Sequence, residues 1–327
     1  MYYLGLTLIV LAGIFNGSFI VPARNVKSIS NEMVWVFHSI IGFVIVSWLL
    51  LIVFFPHSFR LYGLLHIHEV MLLIVSGVVF GLGQICFAYA IETIGIALSF
   101  TVNLGLGVTL GTMFVILYKS SLWTAHGKIA TIAVALIIIS LFIYYKAGKN
   151  NQGRLSQRKL ISASHYKLGW LLAVFAGFSS GLQNISFVIV AYHSSAMPYS
   201  ENSYWYWPAF LTFAAIPMLI GFLYRAKQQG YLGQYRQIYS TSNFAFITLM
   251  GVFFSGSLVL YSLGMSRFSN AQQVTGWPTL MSSIILASQA WGWFFGEAKL
   301  ATLKHKRYMV VSILLLLTAI LLIGLSQ

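Results

Sequence analysis

Apolar runs of about twenty residues recur along almost the whole chain, and a chain patterned this way satisfies its backbone only as a bundle of membrane-crossing helices. Ten such runs can be read, near 2–21, 34–56, 70–92, 96–118, 127–145, 168–191, 204–224, 243–264, 275–296 and 308–325. Of the 327 residues 59% are hydrophobic and 7% charged, against roughly 25% charged in a soluble domain. Lipid must therefore cover the surface, and the two soluble domains suggested by length are excluded. The expected fold class is an all-α polytopic membrane protein. A net charge of +14 in a soluble protein would point to nucleic acid. Here the basic residues lie between the apolar runs, where lipid head groups account for them, so no nucleic-acid partner is expected. Cys86 is the single cysteine and stands inside an apolar run, so no intrachain disulfide forms. The N-terminus lacks the basic start of a signal peptide, and its apolar run is read as the first span.

The chain divides at its longest polar stretch. Residues 1–146 form a first five-helix repeat, 147–166 a cytoplasmic linker and 167–327 a second five-helix repeat. Leu4, Gly5, Leu8, Val10, Ala12, Gly13 and Gly17 open the first span. Leu168, Gly169, Leu172, Val174, Ala176, Gly177 and Gly181 open the sixth at constant offset. Gly77-Val78-Val79-Phe80 of the third span matches Gly251-Val252-Phe253-Phe254 of the eighth. An odd number of spans per unit inverts the second unit in the membrane, an architecture recurrent in transporters, with the site near the midplane. With the N-terminus placed outside, fifteen Lys and Arg fall in inner loops and four, Arg60, Lys119, Lys128 and Arg267, in outer ones. Both termini are then periplasmic and the linker cytoplasmic.

Small residues mark the helices that pack closely. Gly13 and Gly17, Gly77 and Gly81, Gly107 and Gly111, Gly177 and Gly181, Gly251 and Ser255, and Gly292 and Gly296 place spans 1, 3, 4, 6, 8 and 9 inside. Spans 5 and 10 lack such a stripe and are expected to face lipid or a second copy of the chain in a homodimer. Asn16, Gln84, Asn103, Asn184 and Gln289 all lie on the interior spans. Each could be structural glue between helices; together they suggest a polar cavity. The five acids, Glu32, Glu69, Glu92, Glu201 and Glu297, fall at span edges, and His38 about one turn inside span 2. A cavity of neutral amides suits a neutral, hydroxyl-rich solute better than an ion, which would lack a counter-charge. Tyr204-Trp205-Tyr206-Trp207 heads span 7, where position favours an interfacial aromatic belt over stacking on a sugar. Trp277-Pro278 could kink span 9, making Trp277 a substrate contact.

Pro22, Arg24, Val26, Lys27, Ser30, Glu32 and Trp35 follow span 1 with a spacing that resembles the first loop of the bacterial L-rhamnose/proton symporter family, within the drug/metabolite transporter superfamily. Gly81-Leu82-Gly83-Gln84, Gly95 and Gly111 are similar to its third and fourth helices, Leu171 to Ser180 to its sixth, and Trp277, Gly292, Gly296 and Glu297 to its ninth. The resemblance implies ten helices in two inverted units and sugar uptake driven by protons across the bacterial inner membrane. The chain departs from the family at Cys86, where the family has amides or aromatics, and at Glu92, where it has an arginine.

The leading expectation is a secondary transporter binding its solute through Asn16, Gln84, Asn103, Asn184, Trp277 and Gln289, with Glu92, or Glu32 in the family-like loop, as the proton-coupling acid. The alternatives are an exporter or facilitator of amphipathic metabolites or drugs, and, from another class, a membrane-embedded transferase. A transferase would need paired acids or a metal site; the chain has no Asp, and His57, His66 and His68 are its only clustered ligand-type residues, in one outer loop. No Walker A pattern is present, and neither a cofactor nor a metal is expected.

Overall fold

The structure is a computed structural model and describes residues 2–118, 123–157, 163–193, 203–268, 276–297, 299 and 302–325. Lys119, Arg158, Lys159 and Glu201, which figured in the charge reading, lie outside these. The helices in chain order are α1 (Tyr2–Ser18), α2 (Asn31–His38), α3 (Ser47–Phe54), α4 (Ile67–Ile94), α5 (Ile96–Tyr118), α6 (Ala125–Gln157), α7 (Ala163–His193), α8 (Tyr206–Gln228), α9 (Thr241–Met265), α10 (Gly276–Phe294) and α11 (Leu303–Leu325). A π-helical segment, Ser39–Val46, joins α2 to α3. No strand occurs among the described residues. Eight of the helical stretches are long and apolar enough to cross a membrane, and the chain is an all-α multi-pass membrane protein. The apolar runs fall in helical segments, the second of them in α2, the π segment and α3 together. The helix of the fifth run continues to Gln157, beyond the polar onset at Lys146. Apolarity tells where lipid ends; helical hydrogen bonding continues wherever residues such as Lys, Ala and Gln tolerate it.

The chain forms two compact units, each drawing on both halves of the sequence. The first comprises Met1–Ile85 and Ser186–Ser269, the second Cys86–Ile185 and Asn270–Gln327. Helices α4 and α7 each contribute to both.

In the first unit backbones meet at glycines. A Cβ on Gly5 of α1 would lie 2.8 Å from the carbonyl oxygen of Gly264 in α9, and one on Gly264 would lie 2.9 Å from that of Gly5. Gly42 of the π segment crosses Gly251 of α9, and a Cβ on Gly42 would sit 3.0 Å from the Gly251 Cα. On α4, a Cβ on Gly77 would lie 2.9 Å from the Phe210 oxygen, and one on Gly81 would lie 2.6 Å from Pro217 Cγ, both on α8. Gly13 and Gly17 are buried. The first loop is clamped from α9: Asn243 Oδ1 accepts from Lys27 N at 3.0 Å, and its Nδ2 donates to the oxygens of Lys27 at 3.0 Å and Gln237 at 2.9 Å. Ser28 takes a left-handed φ of 61° there. Ser30 then caps α2, and Trp35 stacks on Phe222 at 6.0 Å. The loop that carries the family resemblance thus has a structural role.

The aromatic run is not a lipid-facing belt. Tyr204, Trp205, Tyr206 and Trp207 are at most 2% exposed. Tyr204 donates to the Ser47 oxygen at 3.1 Å, and Tyr206 to Ser186 Oγ at 3.0 Å, which also receives Ser76 at 2.8 Å. Trp207 stacks on Phe187 at 5.0 Å. The first unit supplies enough ring and hydroxyl surface to enclose all four, which composition alone could not reveal. Tyr62, in the Pro56–Leu64 loop, donates to the Trp205 carbonyl; burial pushes its hydroxyl well above the ordinary range, keeping it a donor.

In the second unit α6 and α11 pack on one another. Ser140 donates to the Ser312 carbonyl at 2.7 Å and Ser312 to the Ser140 carbonyl at 2.6 Å. Ala133, Ile137, Leu316 and Ala319 are fully buried, whereas Ile132, Ile138, Phe142, Leu314 and Leu321 are exposed. The two helices therefore need no glycine stripe to pair, and both keep an apolar face. Helix α5 runs parallel to α7: Gly107 meets Ser180, and one turn later Gly111 meets Asn184.

Candidate solute-binding and coupling residues

The expected amides separate by what already satisfies them. Gln289 of α10 is fully engaged. Its Oε1 accepts from the Tyr144 hydroxyl at 3.1 Å, and its Nε2 donates to the Ala97 oxygen at 3.0 Å and to Thr101 Oγ1 at 2.6 Å. It ties α5, α6 and α10 together as an interhelical strut. Asn16 of α1, half-buried, donates to Ser257 Oγ at 2.9 Å.

Asn103 and Asn184 come together in the second unit. Asn103, 6% exposed, accepts from Ser180 Oγ at 2.7 Å. Asn184, half-buried one turn beyond Ser180, makes only a long 3.4 Å contact from Nδ2 to the Gly107 oxygen. The glycines set this up, since a Cβ on Gly111 would lie 3.3 Å from Asn184 Cβ. Ser180 was missed from the sequence, although its spacing of four from Asn184 puts both on one helix face.

Gln84 lies on α4 in the first unit. It is 4% exposed, and its Oε1 has no hydrogen-bond partner among the described residues. A buried amide oxygen without a partner costs about 1–3 kcal/mol, a cost that a ligand hydroxyl can remove. Trp277 stands half-buried in the first turn of α10. Pro278 is the next residue along the helix.

The acids are at helix ends. Glu297, after α10, accepts from the backbone N–H groups of Ile96 at 2.6 Å and Ala97 at 3.0 Å, capping α5. Gly95, at φ 90°, makes room for the carboxylate. Glu69 accepts from His66 N at 2.7 Å at the start of α4. Glu32 is buried in the first turn of α2, where the helix dipole favours a carboxylate. Glu92 is exposed in the last turn of α4. His66 and His68 stack at 5.6 Å, and among the described residues no three His, Cys, Asp or Glu side chains gather to hold a metal. These groups can bind hydroxyls through amides and serines.

The profile of the family described as L-rhamnose-proton symport protein (RhaT) matches residues 2–327. Curated relatives named L-rhamnose-proton symporter include those of Yersinia pestis strain Pestoides F and Yersinia pseudotuberculosis serotype O:3, each 22% identical over 326 residues, covering 94% of this chain and 93% of the relative. A third, from Salmonella paratyphi B, is 25% identical over 172 residues, half of this chain and 48% of its own length.

Proposed function

Because the chain belongs to the L-rhamnose-proton symport protein family, we propose that it is a secondary active transporter carrying a small neutral polar solute, a sugar such as L-rhamnose, together with a proton by alternating access. The observation that carries the neutral-solute reading is the buried Gln84 oxygen, which has no partner among the described residues. Within the second unit, the weakly held Asn184 and the Asn103–Ser180 pair likewise offer hydrogen bonds to hydroxyls, and neutral groups such as these give no counter-charge to an ion. Asn16 in the first unit, and Trp277 and Gln289 in the second, are read as supports within their own units.

The ten helices are read as two inverted five-helix repeats, residues 1–146 and 167–327, joined by the 147–166 linker. Equivalent contacts support this. Gly5 packs on Gly264 as Gly169 packs on Thr93 and Ile94. Gly42 crosses Gly251 as Ala214 crosses Gly77. Ser140 and Ser312 bond reciprocally. The fifteen-to-four distribution of Lys and Arg supports an inner-membrane orientation with both termini periplasmic. The acids available for coupling are Glu92 and Glu32, and the exposed faces of α6 and α11 are where a second copy or lipid would sit.

The deciding experiment is uptake of labelled L-rhamnose and a panel of other sugars into proteoliposomes, with and without a pH gradient, acid outside. Accumulation above the external concentration that collapses with a protonophore is expected for at least one neutral sugar. Indifference to the gradient for every sugar, or transport only of amphipathic cations, would overturn the reading.

A further inference from the structure

His38 ends α2 where the helix passes into the π segment, and it is fully buried. Neither ring nitrogen has a hydrogen-bond partner among the described residues. An ionisable side chain inside a membrane helix is costly and characteristically functional, and π segments recur at functional sites. The ring is enclosed by others: Phe19 stacks on it at 5.8 Å, Trp35 and Phe43 meet it edge-on at 5.5 and 5.2 Å, and Phe254 of α9 lies at 6.5 Å. A Cβ on Gly42 would fall 2.7 Å from His38 Nδ1, so the imidazole rests on the glycine that crosses Gly251. Any sliding of α9 past the π segment must change the cage.

We propose that His38 is a proton-binding site of the transport cycle, deepening the symport reading on which it rests. The face of Phe19 stacked on the ring can hold an imidazolium by cation–π attraction, and the orphaned nitrogen is the base that takes the proton. None of the four rings in contact with it is charged. The ionisable residues on the packed elements are Glu32 of α2, Arg24 of the Val21–Asn25 turn that follows α1, Tyr206, Tyr224, Arg225 and Lys227 of α8, Tyr235, Arg236 and Tyr239 of the Leu232–Tyr239 segment, and Tyr261 of α9. The proton binds when the cage opens to the acidic side and leaves when it opens to the other, moving one positive charge with each neutral sugar. The enclosed ring seen here is the occluded stage of that exchange.

Carbethoxylation with diethylpyrocarbonate, read by peptide mass spectrometry on the unmutated protein in proteoliposomes, tests this without a mutation. His38 should be modified when a pH gradient is imposed, increasingly with L-rhamnose present, and the rate should fall as the pH is lowered. Modification of His57, His66 and His68 with His38 untouched under every condition would mean a permanently sealed structural ring and overturn the proposal. In parallel, His38→Gln should lower the ratio of gradient-driven accumulation to equilibrium exchange by at least about tenfold; a ratio equal to the parent's overturns it, and the labelling result decides if the variant does not fold. A parent protein that accumulates no sugar refutes the function proposed above, whereas labelling driven by the gradient alone still decides the role of His38.

Discussion

Residues of one chemical type play opposite roles here, and the difference lies in who satisfies them. Gln289 makes three hydrogen bonds within its unit, so Gln289→Leu strands the Tyr144 hydroxyl and the partners on α5. It should destabilise the protein by about 1–3 kcal/mol, seen as a lower unfolding temperature in detergent. Gln84→Leu removes an oxygen that has no partner among the described residues. It should keep the parent's unfolding temperature while weakening sugar affinity by about 0.5–1.5 kcal/mol, the value of one neutral bond. A fall in unfolding temperature for Gln84→Leu equal to that for Gln289→Leu would make Gln84 another strut. Glu297→Ala should cost about 0.5–2 kcal/mol, as a lost helix cap does, and Glu297→Gln less, since one acceptor oxygen remains. The sequence put all the amides in one class because composition and depth are all that spacing reports; hydrogen-bond partners come from other helices.

At the scale of elements, the apolar runs were legible because lipid demands them, and eight helical stretches among the described residues are long and apolar enough to cross a membrane. What the runs hid was interruption and depth. The second run looks continuous, yet it contains eight π-helical residues. Ser39 donates back to the Val36 oxygen at 2.7 Å, and Ser47 back to the Phe43 and Val44 oxygens, the backbone competition such hydroxyls introduce. The Tyr204–Trp207 run was read as interfacial because aromatic belts and buried aromatic clusters have the same composition. Glycine stripes located close packing, but not which partner each stripe meets. The crossing of Gly42 and Gly251 leaves no room for a methyl group. Gly42→Ala should therefore cost about 1–3 kcal/mol by overpacking, and it should also disturb His38. Gly63→Ala, with open space around it, is the neutral control in the same unfolding assay.

Across the whole molecule, the order of the sequence and the grouping of contacts differ. Each compact unit takes helices from both halves of the chain, which no linear reading of boundaries conveys, because contact between distant segments is invisible to hydropathy. The topology expectation is checked by tags: a C-terminal tag should react with an impermeant reagent in intact spheroplasts, and one that reacts only after permeabilisation reverses the map. The Ser140–Ser312 contact carries an implication about ancestry. Each serine does to the other what the other does to it, the self-complementary relation of a twofold contact between identical subunits. A duplicated and fused gene whose ancestor acted as a pair would retain such a handshake. On that proposal, fragments 1–157 and 163–327, produced as separate chains in one cell, should find each other and restore gradient-driven uptake that neither gives alone.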